Sequence, residues 1–137
     1  MSKLNDGGIL AVQMPLIQNA VFYKTLNKLV SDGKWSKLSK INNFYNLTPD
    51  KTYDILSVIS QRVTMWETTY YHIVPSHSFI IEWYKGSGLR PYLESLDQIE
   101  KQEFINDLLK LIETSYPVQA DSSVILKMPR LFFTAVR

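Results

Sequence analysis

Two aromatics, a lysine and an arginine crowd a tight bend in the run Glu82-Trp83-Tyr84-Lys85-Gly86-Ser87-Gly88-Leu89-Arg90-Pro91-Tyr92-Leu93. Trp, Tyr and Arg are costly to display at the end of a helix unless they recognise something. Arg90 is the leading candidate for an anion anchor. Its guanidinium fork matches a carboxylate bidentately, and Gly88 and Pro91 would hold the loop around it in one shape. Trp83, Lys85 and Arg130 are weaker candidates of the same type. Gln13 stands at the carboxyl end of an expected strand, where open α/β sheets place their ligands; the alternative is that it merely opens a loop. Tyr70, Tyr71 and His72 form a polar aromatic cluster near the end of a second expected strand. Alternation puts Tyr70 and His72 on one side and Tyr71 on the other, although a packed tyrosine with a bonded hydroxyl is the commoner use.

Other chemistries find little footing. The chain has no Gly-x-Ser-x-Gly, no cysteine and two histidines, His72 and His77. These straddle a strand-to-helix junction and point in unrelated directions, so they do not read as metal ligands. Gly86-Ser87-Gly88 follows a helix instead of leading from a strand into one, so no helix N-terminus is aimed at a phosphate. Taken alone, these glycines read as a helix C-cap and turn.

The elements that must position these residues alternate between strands and helices. Leu4-Asn5-Asp6-Gly7-Gly8 is a turn, and Ile9-Leu10-Ala11-Val12 has no polar face, which predicts a strand buried on both sides. Residues 19–31 read as a helix with Val21, Phe22, Leu26, Leu29 and Val30 inward and Gly33 as its stop. Lys34 to Asn46 is polar and irregular, dotted with Trp35, Phe44 and Tyr45. Thr48-Pro49-Asp50 is a helix start running to about Ser60. From Arg62 to Val74, β-branched and aromatic residues predict the clearest strand. Pro75 ends it, and Ser76 can cap a helix that stops at Gly86. Ser95 with Gln98 resembles a capping box for the longest helix, to about Ser115, with Phe104, Leu108, Leu111 and Ile112 inward. Two extended runs follow, Val124–Met128 and Leu131–Val136, split by Pro129-Arg130. The order is that of an α/β fold lacking its beginning.

At 137 residues the chain is one domain or part of one. Its 45% hydrophobic and 20% charged residues are those of a soluble globular protein. A net charge of +2 with scattered basic residues argues against nucleic acid or an anionic membrane as partner. No apolar run approaches the roughly 20 residues of a membrane span, and no signal peptide is evident, so a cytoplasmic location is expected.

Several segments together resemble the C-terminal half of the trans-aconitate methyltransferases, which are S-adenosylmethionine-dependent enzymes methylating a carboxylate of a small tricarboxylic acid. They are Gly7-Gly8-Ile9-Leu10-Ala11-Val12-Gln13-Met14-Pro15, Trp66-Glu67-Thr68-Thr69-Tyr70-Tyr71-His72, Glu82-Trp83, and Lys85-Gly86-Ser87-Gly88-Leu89-Arg90-Pro91-Tyr92-Leu93. Pro129-Arg130-Leu131-Phe132 and Ala135-Val136-Arg137 close the series in the family's order. The chain departs from the pattern where Leu16-Ile17 follow Gln-Met-Pro in place of Asp-Asn.

The resemblance implies an α/β fold: the C-terminal half of a class I, Rossmann-like methyltransferase sheet, about three strands with a helical lid insertion. Ile9–Gln13 would be the fifth strand and Arg62–Ile73 the sixth, with Leu131–Arg137 the antiparallel seventh between them. Residues 1–75 and 119–137 would belong to the core and residues 76–118 to the lid. Gln13, Tyr70, His72, Trp83 and Arg90 would meet a polyanionic acid. The Gly-rich cofactor loop, the acidic residue for the ribose and four strands have no counterpart, so no S-adenosylmethionine is expected to bind this chain alone. The expected function is a fragment of a small-acid O-methyltransferase, inactive by itself. The competing expectation is a non-catalytic module that binds a partner chain or pairs with itself as a homodimer or by strand exchange, because an exposed apolar edge seeks another strand.

Overall fold

A computed structural model describes residues 3–31, 33–41 and 47–137 of the chain. Its strands are β1 (Ile9–Pro15), β2 (Arg62–Val74) and β3 (Val124–Val136). Its helices are α1 (Val21–Ser31), α2 (Pro49–Ile59), α3 (His77–Lys85), α4 (Arg90–Glu94) and α5 (Gln98–Ser115). Short 3-10 turns cover Ile17–Asn19 and Gly33–Leu38. The strands form one sheet in the order β1-β3-β2, so the last strand lies between the other two, as the resemblance requires. β3 runs antiparallel to β1, with Ile9 opposite Val136 and Pro15 opposite Arg130. The fold is mixed α/β with a three-strand sheet, consistent with the partial sheet that the resemblance implies.

Two compact units share this chain. The first comprises residues 3–17, 47–70 and 128–137. Here Leu16, Leu56, Leu131, Phe133 and Ala135 are buried, with Leu10, Val12, Met14, Val63 and Met65 packed against them. Alternation along β1 therefore turns Leu10, Val12 and Met14 inward beneath α2. The intervening Ile9, Ala11 and Gln13 are exposed, Ile9 by 60%. The expectation of a strand buried on both sides is thus corrected. β1 is an edge strand with one covered face, and its all-apolar composition hid the alternation. The departure at Leu16 has a packing reason: this side chain is 1% exposed and fills the core under α2. α2 starts where its sequence predicts, Thr48 Oγ1 accepting from the Lys51 N–H.

The second unit comprises the described residues among 18–45 together with 71–127. α1 packs on α5 and on the Gly33–Leu38 turn, and α3 packs on α5. Phe104, Leu108 and Ile112, spaced four apart on α5, are fully buried, each burial stabilising by about 2 kcal/mol. The Phe22 and Tyr84 rings stack with centroids 3.6 Å apart and planes 7° from parallel. Gly33 ends α1 with φ +66°, a conformation other residues resist. The stretch after it, expected to be irregular, is a 3-10 turn as far as Leu38. Trp35 is buried there and its Nε1–H donates to Asp107 Oδ2 at 3.1 Å. That bond, ahead of the Lys110 ammonium, holds the Asp107 carboxyl below its usual range. Phe44 and Tyr45 lie outside the described residues.

Two further expectations are corrected. The capping box of α5 is built by Asp97 and Glu100, whose side chains bond each other's backbone N–H groups. Ser95 is consumed elsewhere, its hydroxyl donating to the Tyr92 carbonyl at 2.7 Å to close α4. The two extended runs near the end are one strand, continuous through Pro129. Burial alternates at Val124 and Leu126, then resumes one residue out of step at Pro129, Leu131, Phe133 and Ala135. An extra residue of this kind is how a central strand accommodates proline. The Pro129 carbonyl still accepts from the Leu16 N–H at 2.9 Å. Replacing Asp97 with Ala should lower unfolding free energy by about 1 kcal/mol, whereas Ser95→Ala should cost less; chemical denaturation of both variants checks the assignment.

Candidate functional site

Gln13 lies within β1, two residues before its end, on the exposed face. Register sets it opposite Phe132 and diagonal to Arg130 of β3, all on one side of the sheet. With its amide assigned so that the oxygen faces Arg130, it accepts from Nη1 at 2.5 Å and Nε at 3.2 Å; the opposite orientation would set N–H groups against those donors. Beside this pair, Phe132 stacks on Trp66 with centroids 5.5 Å apart. Tyr70 also belongs to this first unit and is 44% exposed.

His72, Trp83 and Arg90 belong to the second unit. The His72 and Trp83 rings meet at 5.2 Å, so the end of β2 and the outer face of α3 bring two candidates together. Phe79, one turn before Trp83, lies 6.2 Å from it, and both are partly exposed. Tyr71 lies under the Lys127 ammonium at 5.7 Å, a contact whose lysine no motif announced. The second histidine, His77, turns away to the Tyr116 carbonyl at 2.7 Å. Among the described residues no cluster of three His, Cys, Asp or Glu could hold a metal.

The Gly-Ser-Gly bend closes α3, as its glycines alone suggest. The Tyr84 carbonyl accepts from the N–H groups of Ser87 at 3.0 Å and Leu89 at 2.9 Å. Leu89 is fully buried and anchors the bend. The chain then enters α4 with Arg90 first and Pro91 second, so Arg90 sits on a helix end and not on an open loop. Its Nε–H donates to Glu94 Oε1 at 2.7 Å, and this bond raises the Arg90 pKa. Both side chains are more than 60% exposed, so the pair adds little to stability and the end of the guanidinium fork still faces solvent.

The N–H groups of Ser87 and Leu89 are spent on the Tyr84 carbonyl at the end of a helix, so neither is presented to an anion as at a helix start. Close packing explains Gly88 instead: a Cβ there would come 2.6 Å from Tyr23 Oη and 3.1 Å from its ring. Tyr23 is held edge-on against Tyr84 and Phe22, and its burial, then the neighbouring Tyr92, raise its pKa. Gly88→Ala should therefore destabilise the fold by about 1–3 kcal/mol. Adding Tyr23→Phe, which removes the nearest atom, should recover part of the loss in thermal unfolding.

No protein-family model matches the chain. Curated relatives do. A trans-aconitate 2-methyltransferase of Yersinia pestis (strain Pestoides F) is 33% identical over 138 residues, covering 98% of this chain and 54% of the relative. The protein of the same description from Rhodopseudomonas palustris (strain BisB5) is 34% identical over 140 residues, covering 100% of this chain and 55% of the relative. The chain spans about half the length of the curated relatives it matches. Along its whole length, then, the chain is similar to about half of a trans-aconitate 2-methyltransferase.

Proposed function

We propose that this chain supplies the acid-recognising half of an S-adenosylmethionine-dependent O-methyltransferase of small polycarboxylic acids of the trans-aconitate type. One observation carries the reading: an antiparallel β3 lies between β1 and β2, the arrangement in which such a sheet ends. The names of the relatives support the reaction class. Residues 76–118 act as the lid, and Gln13, Tyr70, His72, Trp83 and Arg90 receive the acid. Arg90 offers the end of its fork to a carboxylate while Glu94 steadies its Nε side. The substrate carboxylate is ionised at neutral pH, so these residues need to hold and orient an oxygen and not remove a proton. S-adenosylmethionine supplies the methyl group when bound, and its seat belongs to the length of the relatives that this chain does not span. Alone, the chain is inactive. No helix among the described residues is long and apolar enough to cross a membrane.

Mixing the chain with the unspanned segment of the Yersinia pestis relative should restore methyl transfer to trans-aconitate. Arg90→Ala should reduce kcat/KM about tenfold or more, the worth of a charge-assisted pair. Calorimetry of the chain alone with S-adenosylhomocysteine should show no binding; tight binding would refute the division of labour.

A second reading, self-association, is favoured by the outer edge of β1. The strand carries no charged residue and pairs on that edge with no described strand. On α2, Val58 is 84% exposed and Ile55 51%. Light scattering should then give a homodimer or strand-exchanged species at micromolar concentration, converted to monomer by Val58→Glu; a monomeric parent chain counts against it.

A further inference from the structure

Arg130 is half-buried on the sheet face that carries Gln13, and no carboxylate of the described residues pairs with it. Its partner in the structure is neutral, the Gln13 amide oxygen, taken by Nη1 and Nε. A partly buried cation whose side-chain partner among the described residues is an amide keeps its charge unneutralised by them and has an N–H edge to offer. The same contact has a second effect. An amide whose oxygen is claimed by a guanidinium must turn its N–H2 the other way, so Gln13 is presented as a donor. Two donor groups, one charged, thus stand side by side near the carboxyl end of β1, with the Phe132–Trp66 stack shielding one flank. Their chemistry excludes a cation and fits an acceptor with two oxygens.

We infer that Gln13 and Arg130 form a seat for one carboxylate of the acid, in which Arg130 both binds and fixes Gln13 in its donor orientation. The inference rests on the small-acid reading above and adds to it a residue and an assigned division of roles. The seat lies wholly within the first unit, and Arg90 belongs to the other. The geometry of β1 and β3 makes the seat rigid. Both residues project from paired strands, and the diagonal contact is set by the ladder register.

The test is titration of the parent chain with tricarballylate, a stable tricarboxylate, at low ionic strength by calorimetry, beside Gln13→Glu, Arg130→Met and Arg130→Lys. Gln13→Glu is the discriminating variant. It keeps an oxygen facing Arg130, so the strand contact and the melting temperature should persist. It also neutralises the arginine and removes the N–H2 donor, so acid binding should fall about tenfold or more. Arg130→Met should lose as much, and Arg130→Lys, which keeps charge without the fork, should fall between. No saturable binding by the parent, or parent-like binding by Gln13→Glu or Arg130→Met, overturns the seat. If the seat binds as described but the reassembled protein transfers no methyl group, the methyltransferase reading fails and the seat stands. Methyl transfer unaffected by Gln13→Glu would sink the seat and spare the reading.

Discussion

The placement of β3 between β1 and β2 is the constraint on which the rest of the molecule depends. One strand supplies Val124 and Leu126 to the core of the helical unit and Leu131, Phe133 and Ala135 to the core under α2. Its step out of phase near Lys127 and Met128 lets it bury alternate residues in both. The antiparallel register with β1 then decides which side chains share a face. Leu10, Val12 and Met14 turn to α2, while Gln13 meets Arg130 and Phe132 lies opposite. Sliding that register by one residue would send every one of these to the other side.

In the helical unit the same economy is reached with aromatic packing. Phe22, Tyr23 and Tyr84 form a close cluster, and Gly88 is small because Tyr23 occupies the space beside it. The bend that displays Arg90 is thereby shaped by a tyrosine from a distant helix. Surface ion pairs add little. Lys34 with Glu103 and Lys37 with Glu100 tie the 3-10 turn to α5 through exposed side chains. The part-buried bond of Trp35 to Asp107 does more to place that turn, since it satisfies an indole N–H that would otherwise be buried unpaired.

In the proposed reading, recognition of an acid rests on donors held by the scaffold and not on a catalytic base. That fits a reaction whose nucleophile is already ionised. Such a reaction calls for arginines, an amide and aromatics and not for a nucleophile with its base. The candidate residues divide between the units, Gln13 and Tyr70 in one and His72, Trp83 and Arg90 in the other.

The local signals in the sequence were sufficient wherever a few neighbouring residues settle the matter. Thr48 before Pro49 starts α2, Ser76 starts α3, Gly33 ends α1, and the β-branched stretch from Arg62 to Val74 is a strand with those bounds. Where a local signal has a second use, tertiary structure chose. Ser95 is the expected cap of α5, but its hydroxyl closes α4 and Asp97 caps α5 instead. The longer-range facts lay beyond local reading for a physical reason. Whether an apolar strand is covered on one side or both depends on how many layers pack against it, so Ile9-Leu10-Ala11-Val12 could not reveal its exposed face. The pairing of Gln13 with Arg130 depends on a register between strands at opposite ends of the chain. Sequence by itself determined the elements, their order and the residue types able to hold an acid. Only the tertiary structure decided which of those residues meet, because contact across a sheet is set by strand order and register and not by spacing along the chain.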